Sequence, residues 1–317
     1  MEKFFKSIYI CMKQPEKIRG LIAPVFTPMN GHGDIVIDII PEYADYLKSK
    51  GLAGVFVLGS SGEGMLLTTE ERKIVAEAWA PFAGEDFKFI IHVGSTSCRQ
   101  SGDLAAHARD CGAWAVSCMG PAFLQPQNVT DLVEFCSQVA SAVPELPFYY
   151  YHIPVRTGLN LSMVQFLREG EKKIPNLAGI KFTHSNFMEM QQCMALNNGK
   201  FDIMQGSDES LICGLTLGIQ GAIGTSFNFI PGLFKELINV FNSCDFPKAR
   251  ELQLQVVGIF ERIIKFRGGI VAGKAMLKLA GIDCGPCRSP LRGLDDDEYQ
   301  ALIKELREAG LYDLLGK

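Results

Sequence analysis

Lys181 lies near the end of the run Leu177-Ala-Gly-Ile-Lys-Phe-Thr183, which reads as a buried β-strand with one ammonium where an apolar residue is expected. Burying that charge is costly, so its pKa should fall and the neutral amine become a nucleophile toward a carbonyl. About thirty residues earlier stands the aromatic run Phe148-Tyr-Tyr-Tyr151, whose last phenol could carry a proton. The pair suits Schiff-base chemistry. A lysine at a strand end can also snorkel to solvent or sit in a salt bridge, so the residues around it must decide between the readings.

Those residues are set by a repeated unit: a short apolar run, a loop, then an amphipathic helical pattern. Strands are expected at Leu21 to Phe26, Gly54 to Gly59, Phe87 to Gly94, Ala113 to Gly120, Leu146 to Ile153, Leu177 to Thr183, Phe201 to Gly206 and Gly221 to Thr225. Helical patterns lie between them, such as the one opening at Thr69 and running to about Phe82, and Val129 to Val143. Nearly continuous apolar strands suit a parallel sheet covered on both faces, so the fold class is α/β, an eightfold (β/α)8 TIM barrel. Further helical patterns at Pro231 to Asn242, Phe246 to Lys265, Gly273 to Leu279 and Asp296 to Ala309 exceed what closes a barrel. The expected organisation is therefore an N-terminal extension over 1–17, a barrel over 18–243 and a helical extension over 244–317 packed on the barrel.

In such a barrel the reactive groups gather where strands end and βα loops begin. The second strand delivers Gly59-Ser-Ser-Gly-Glu-Gly64 and the fifth Tyr149-Tyr-Tyr-His-Ile-Pro-Val-Arg-Thr-Gly158. The sixth delivers Lys181-Phe-Thr183, the seventh Gly206-Ser-Asp-Glu209 and the eighth Gly224-Thr-Ser226. Ser60 and Ser61, flanked by glycines, could form a nest for a small carboxylate or simply cap the next helix. No Gly-Lys-Ser/Thr follows, so the segment is not a phosphate loop. Asp208 and Glu209 could accept hydrogen bonds from a polyol or form a capped turn. Glu63 is read as structural, and His92 and His152 as core histidines satisfied by backbone carbonyls.

Composition narrows the partner. The chain has 317 residues, 47% hydrophobic and 21% charged, with 31 basic against 35 acidic side chains. No basic field is available for nucleic acid or an anionic membrane, and no stretch approaches the roughly 18 apolar residues of a membrane span. Ten cysteines without framework spacing and no convincing secretory signal point to reduced thiols in the cytoplasm. The Cys284-Gly-Pro-Cys287 pair falls in a loop between two late helices, whereas a dithiol redox motif follows a strand and opens a helix. Five histidines show no metal-ligand spacing, so a small-molecule substrate is expected, with neither metal nor organic cofactor.

Taken in order, Gly-Ser-Ser-Gly-Glu63, Tyr-Tyr-His-Ile-Pro154, Gly-Ile-Lys-Phe-Thr183, Gly-Ser-Asp-Glu209 and Gly-Thr-Ser-Phe-Asn228 resemble the N-acetylneuraminate lyase and dihydrodipicolinate synthase superfamily of pyruvate-dependent class I aldolases. The resemblance covers about residues 18 to 315. It implies that Lys181 forms an imine with a 2-keto acid, that Tyr151 shuttles the proton, and that Ser60 and Ser61 hold the pyruvyl carboxylate. It also implies that Thr183, Gly206, Asp208, Glu209 and Thr225 line the polyhydroxylated tail of a sugar acid, and that the subunits form a homotetramer.

Two branches of that superfamily remain open. Arg156 matches the synthases, where an arginine binds a substrate carboxylate, and so favours aspartate semialdehyde or another carboxylate-bearing aldehyde. Pro121-Ala-Phe-Leu-Gln-Pro126 lacks the tyrosine that the synthases place there, and the tail from Gly268 to Lys274 resembles the lyases. The branch favoured is the lyase, cleaving N-acetylneuraminate to N-acetylmannosamine and pyruvate. A non-catalytic keto-acid or sugar-binding barrel is the third reading, and it has no use for both Lys181 and Tyr151.

Overall fold

A computed structural model describes residues 16–316. Of the expected extension over 1–17, residues 1–15 lie outside the described residues. Eight strands, β1 Gly20–Pro24, β2 Gly54–Val57, β3 Lys88–His92, β4 Ala115–Cys118, β5 Phe148–His152, β6 Leu177–Phe182, β7 Asp202–Gln205 and β8 Gly221–Ile223, close a barrel in sequence order. Every pairing is parallel, and β8 returns to β1. The (β/α)8 barrel expected from the strand pattern is the fold observed.

Connecting helices wrap the barrel: α1 Ile40–Ser49, α2 Thr69–Trp79, α3 Cys98–Asp110, α4 Val129–Ala140, the single turn α5 Pro154–Thr157, α6 Met163–Lys173, α7 Phe187–Ala195, α8 Leu211–Leu217 and α9 Pro231–Asn242. Local chemistry sets several starts. Thr68 and Glu71 form a reciprocal capping box on α2, and the side chains of Asn128, Ser162 and Asn186 cap α4, α6 and α7. Three further helices follow, α10 Phe246–Lys265, α11 Gly268–Leu279 and α12 Asp296–Glu308. Helix α11 begins five residues before the expected Gly273, where Gly268 at φ 85° accommodates the sharp entry from Arg267 at φ 70°. Among the described residues no helix is long and apolar enough to cross a membrane.

Side chains alternate across each strand and so build two cores. Ile22, Phe56, Ile90, Tyr149, Tyr151, Met204 and Ile223 fill the barrel interior. Val55, Val57, Phe89, Ile91, Val116, Tyr150, Phe182 and Ile203 face outward, in the core beneath the helices. The observed strands stop short of the expected ends at Gly59, Gly94 and Gly206. Burial continues through Leu58 and Val93 after ladder pairing has ceased, so an apolar run overstates the strand. At the opposite end of the barrel Asp202 accepts the Ile18 N–H at 2.9 Å and the Tyr149 hydroxyl at 3.0 Å.

Candidate active site

Tyr151 and Lys181 are direct partners in the β5–β6 register, which sets their side chains side by side on the inner face. Lys181 is 3% exposed, and its nitrogen lies 4.1 Å from the centre of the Tyr151 ring and 4.2 Å from that of Phe56. Burial pulls its pKa below the ordinary lysine value, while the Tyr151 phenol and then the Asp208 carboxyl oppose the shift. The result is an amine held in an aromatic box and eased toward its neutral form. The Tyr151 hydroxyl stands 3.4 Å from Ser60 Oγ, longer than a good O–H···O bond, so both oxygens can take a further partner.

Ser60 and Ser61 lie on a turn whose backbone is strained at both ends, with Leu58 at φ 64° and Glu63 at φ 54°. Gly64 is obligatory there, because a Cβ would stand 1.9 Å from the Leu58 carbonyl oxygen. Ser61 Oγ meets Thr225 Oγ1 at 2.8 Å, joining the β2 and β8 loops. The amides of Glu63 and Gly64 donate to the Ser60 and Gly59 carbonyls, whereas those of Ser60, Ser61 and Gly62 donate to no backbone oxygen among the described residues. That leaves three N–H groups able to face an anion.

The C-terminal helices hold this turn in place. Glu63 forms a buried ion pair with Lys274 of α11 at 2.8 Å and accepts the Arg288 N–H at 2.8 Å. Lys274 also donates to the Pro286 carbonyl at 2.7 Å, and the Arg288 guanidinium grips both oxygens of Glu71 at 2.7 Å. Removing one member of a buried pair strands the other charge. Lys274→Met should therefore cost about 3–5 kcal/mol, read as a lowered urea midpoint, and adding Glu63→Gln should restore a good part of it. A single variant as stable as the parent would show that the pair does not clamp the turn.

The remaining predicted residues distribute unevenly. Thr183 and Gly206 adjoin each other: a Cβ on Gly206 would stand 1.9 Å from Thr183 Oγ1. Gly206→Ala must displace Thr183, with an overpacking cost of about 1–3 kcal/mol; an unchanged urea midpoint would contradict it. Asp208 and Glu209 are adjacent in sequence but not equivalent. Asp208 is buried, and its Oδ2 accepts the Ser226 N–H at 2.7 Å and the Ser226 hydroxyl. Burial raises its acid against those bonds. Glu209 is exposed at the rim, yet desolvation, followed by the charge of Asp208, pushes it up to about 7. Arg156, on α5, is exposed, and its side chain has no hydrogen-bond or ion-pair partner among the described residues.

Residues 17–309 match the dihydrodipicolinate synthetase family. The chain belongs to that family. It is 39% identical to the N-acetylneuraminate lyase of Xenopus tropicalis over 279 residues, 87% of this chain and 91% of that one. Among solved structures, the N-acetylneuraminate lyase of Proteus mirabilis superposes with a TM-score of 0.90 at 37% identity, covering 93% of this chain and all (100%) of the other. A dihydrodipicolinate synthase superposes with a TM-score of 0.83 at 25% identity, over 93% of this chain and 100% of its own.

Within this member of the dihydrodipicolinate synthetase family, two contributors to the mouth escaped the sequence reading. Lys274 is a lone ammonium in the apolar stretch from Ile270 to Leu277, the same signal that singled out Lys181. Gln253 of α10 donates to the carbonyls of Asp208 and Glu209 at 3.3 and 3.0 Å, and no local pattern announces it. The Cys284 and Cys287 thiols are pushed up to about 12 and about 11, chiefly by burial, which keeps them protonated rather than reactive. Like His92, whose ring nitrogens are also without partners, His152 departs from expectation: it is 1% exposed, but neither ring nitrogen meets a hydrogen-bond partner among the described residues. Its outward direction, between Tyr150 and Phe182, surrounds it with rings instead of carbonyls.

Proposed function

We propose that this chain is a Schiff-base aldolase that reversibly cleaves N-acetylneuraminate to N-acetylmannosamine and pyruvate. The observation that carries the reading is the buried Lys181 amine beside the Tyr151 phenol in a chain whose relatives include N-acetylneuraminate lyases. The neutral amine adds to the keto carbon, water leaves, and an iminium results. Tyr151, with the substrate carboxylate, takes the proton from the C4 hydroxyl. The C3–C4 bond breaks, its electron pair enters the iminium to give an enamine, and the aldehyde departs. Protonation at C3 and hydrolysis release pyruvate and restore the amine.

In this reading Ser60 and Ser61, with the free amides of their turn, bind the pyruvyl carboxylate. Thr183, Gly206, Asp208, Glu209 and Thr225 line the sugar tail. With its oxygen committed to Ser226, Asp208 acts chiefly by shaping the loop, and Glu209 presents the accessible carboxyl. Of the extension expected over 244–317, the described residues 244–316 are an integral helical extension that braces the turn of residues 60–63. A cytoplasmic setting suits the unpaired cysteines among the described residues. Assembly into a homotetramer is part of the same reading, and the highly exposed Phe123 and Leu124 are candidates for subunit burial.

Arg156 supports a second reading, condensation of pyruvate with aspartate semialdehyde or another carboxylate-bearing aldehyde, because its guanidinium is free to bind such a group. Pyruvate release from N-acetylneuraminate, followed with a lactate dehydrogenase couple, separates the two. Release supports the lyase; no release, with consumption of aspartate semialdehyde and pyruvate, moves the assignment to the synthase. Failure of both reactions leaves a barrel that binds without turnover.

A further inference from the structure

On the outer side of the barrel, the ends of two neighbouring strands and the start of one helix bring together two imidazoles and a carboxylate. His152 ends β5, His184 lies two residues beyond β6, and Glu189 stands in the first turn of α7. Because Tyr151 and Lys181 point into the barrel, His152 and Phe182 point away from it. One ligand atom from each of His152, His184 and Glu189 lies within 4.8 Å of the other two. The spacing of these residues in the chain gives no hint of the grouping, which β5–β6 pairing creates.

The donor atoms are prepared for ligation. Neither nitrogen of the buried His152, nor Nδ1 of His184, has a hydrogen-bond partner among the described residues, an arrangement native cores rarely leave uncompensated. The Met163 N–H donates to Glu189 Oε1 at 2.7 Å, fixing that carboxylate and leaving its second oxygen for another partner. His184 and Glu189 are half-buried, which gives access from solvent.

We propose that His152, His184 and Glu189 form a binding site for a divalent cation of the zinc class, separate from the reacting groups. Two imidazoles and one carboxylate are a borderline nitrogen and oxygen donor set that suits such an ion, with solvent completing the shell. Bonds of ~2.1 Å in a tetrahedron place donors roughly 3.4 Å apart. Binding therefore draws the side chains together, and the half-buried His184 and Glu189 supply that movement. The ion would cross-link β5, the β6 end and α7 directly behind Tyr151 and Lys181.

The test uses the full chain, stripped with a chelator and titrated with Co2+ and Zn2+ alone. Expected are one bound ion per chain, a Co2+ absorption spectrum without a thiolate charge-transfer band, and a Zn2+-dependent rise in the thermal midpoint. His184→Gln and Glu189→Gln should each weaken binding by at least about tenfold, the loss that even an outer partner of a metal ligand commonly costs, and should abolish the thermal rise. Glu189→Gln keeps a carbonyl for the Met163 N–H, so folding is not at issue. No binding, unchanged affinity in either variant, or a thiolate band that places the ion on the cysteines would overturn the site.

Discussion

Lys181→Ala is expected to abolish pyruvate release from N-acetylneuraminate and to leave no adduct when the protein is treated with pyruvate and borohydride. Without the amine no iminium forms, so the electrons of the breaking C3–C4 bond have no sink within the protein. A loss of about 10⁴ in rate corresponds to ~5.5 kcal/mol of barrier, and removal of a covalent catalyst should reach at least that. The side chain is buried in an aromatic box, and its truncation leaves a methyl group among Phe56, Tyr151 and Met204 rather than an unpaired charge. The variant should therefore fold, so that lost activity reports chemistry. Mass spectrometry after reduction decides the matter: a pyruvyl adduct that persists on Lys181→Ala places the imine elsewhere.

Tyr151→Phe should separate imine formation from bond cleavage. The ring that packs against Phe56 and His92 is retained, with centroid distances of 5.7 and 5.9 Å in the parent. Only the hydroxyl, with its 3.4 Å approach to Ser60, is removed. Lys181 should still capture pyruvate as a reducible adduct, while kcat falls by about 10²- to 10⁴-fold, the usual contribution of a positioned proton carrier. Loss of the hydroxyl also removes a group that favours the charged lysine, which lets burial depress the Lys181 pKa further. The pH at which adduct formation begins should accordingly move downward. Turnover equal to the parent's would remove Tyr151 from the proton path.

Both experiments rest on residues that stand out in the chain itself. The barrel was legible because each strand is a continuous apolar run and each helix an amphipathic one, and these periods follow from backbone geometry alone. Lys181 was legible because a charge inside such a run has to be explained, and Tyr151 because it closes the aromatic run about thirty residues earlier, whereas the register that sets the two side by side came from the fold. Strand ends were less legible, since burial outlasts the ladder by one or two residues at Leu58 and Val93.

The sequence by itself thus determined the alternation of strands and helices and singled out Lys181 and Tyr151 as candidates, because each of these signals is encoded within a few consecutive residues. Tertiary structure alone decided that Glu63 meets Lys274 and Arg288, that Asp208 is spent on Ser226 while Glu209 remains exposed, and that His152 and His184 stand together with Glu189. These partners are far apart in the chain and carry no shared local pattern. Their meeting depends on barrel closure and strand register, which bring side chains together through the whole fold rather than through their neighbours in sequence.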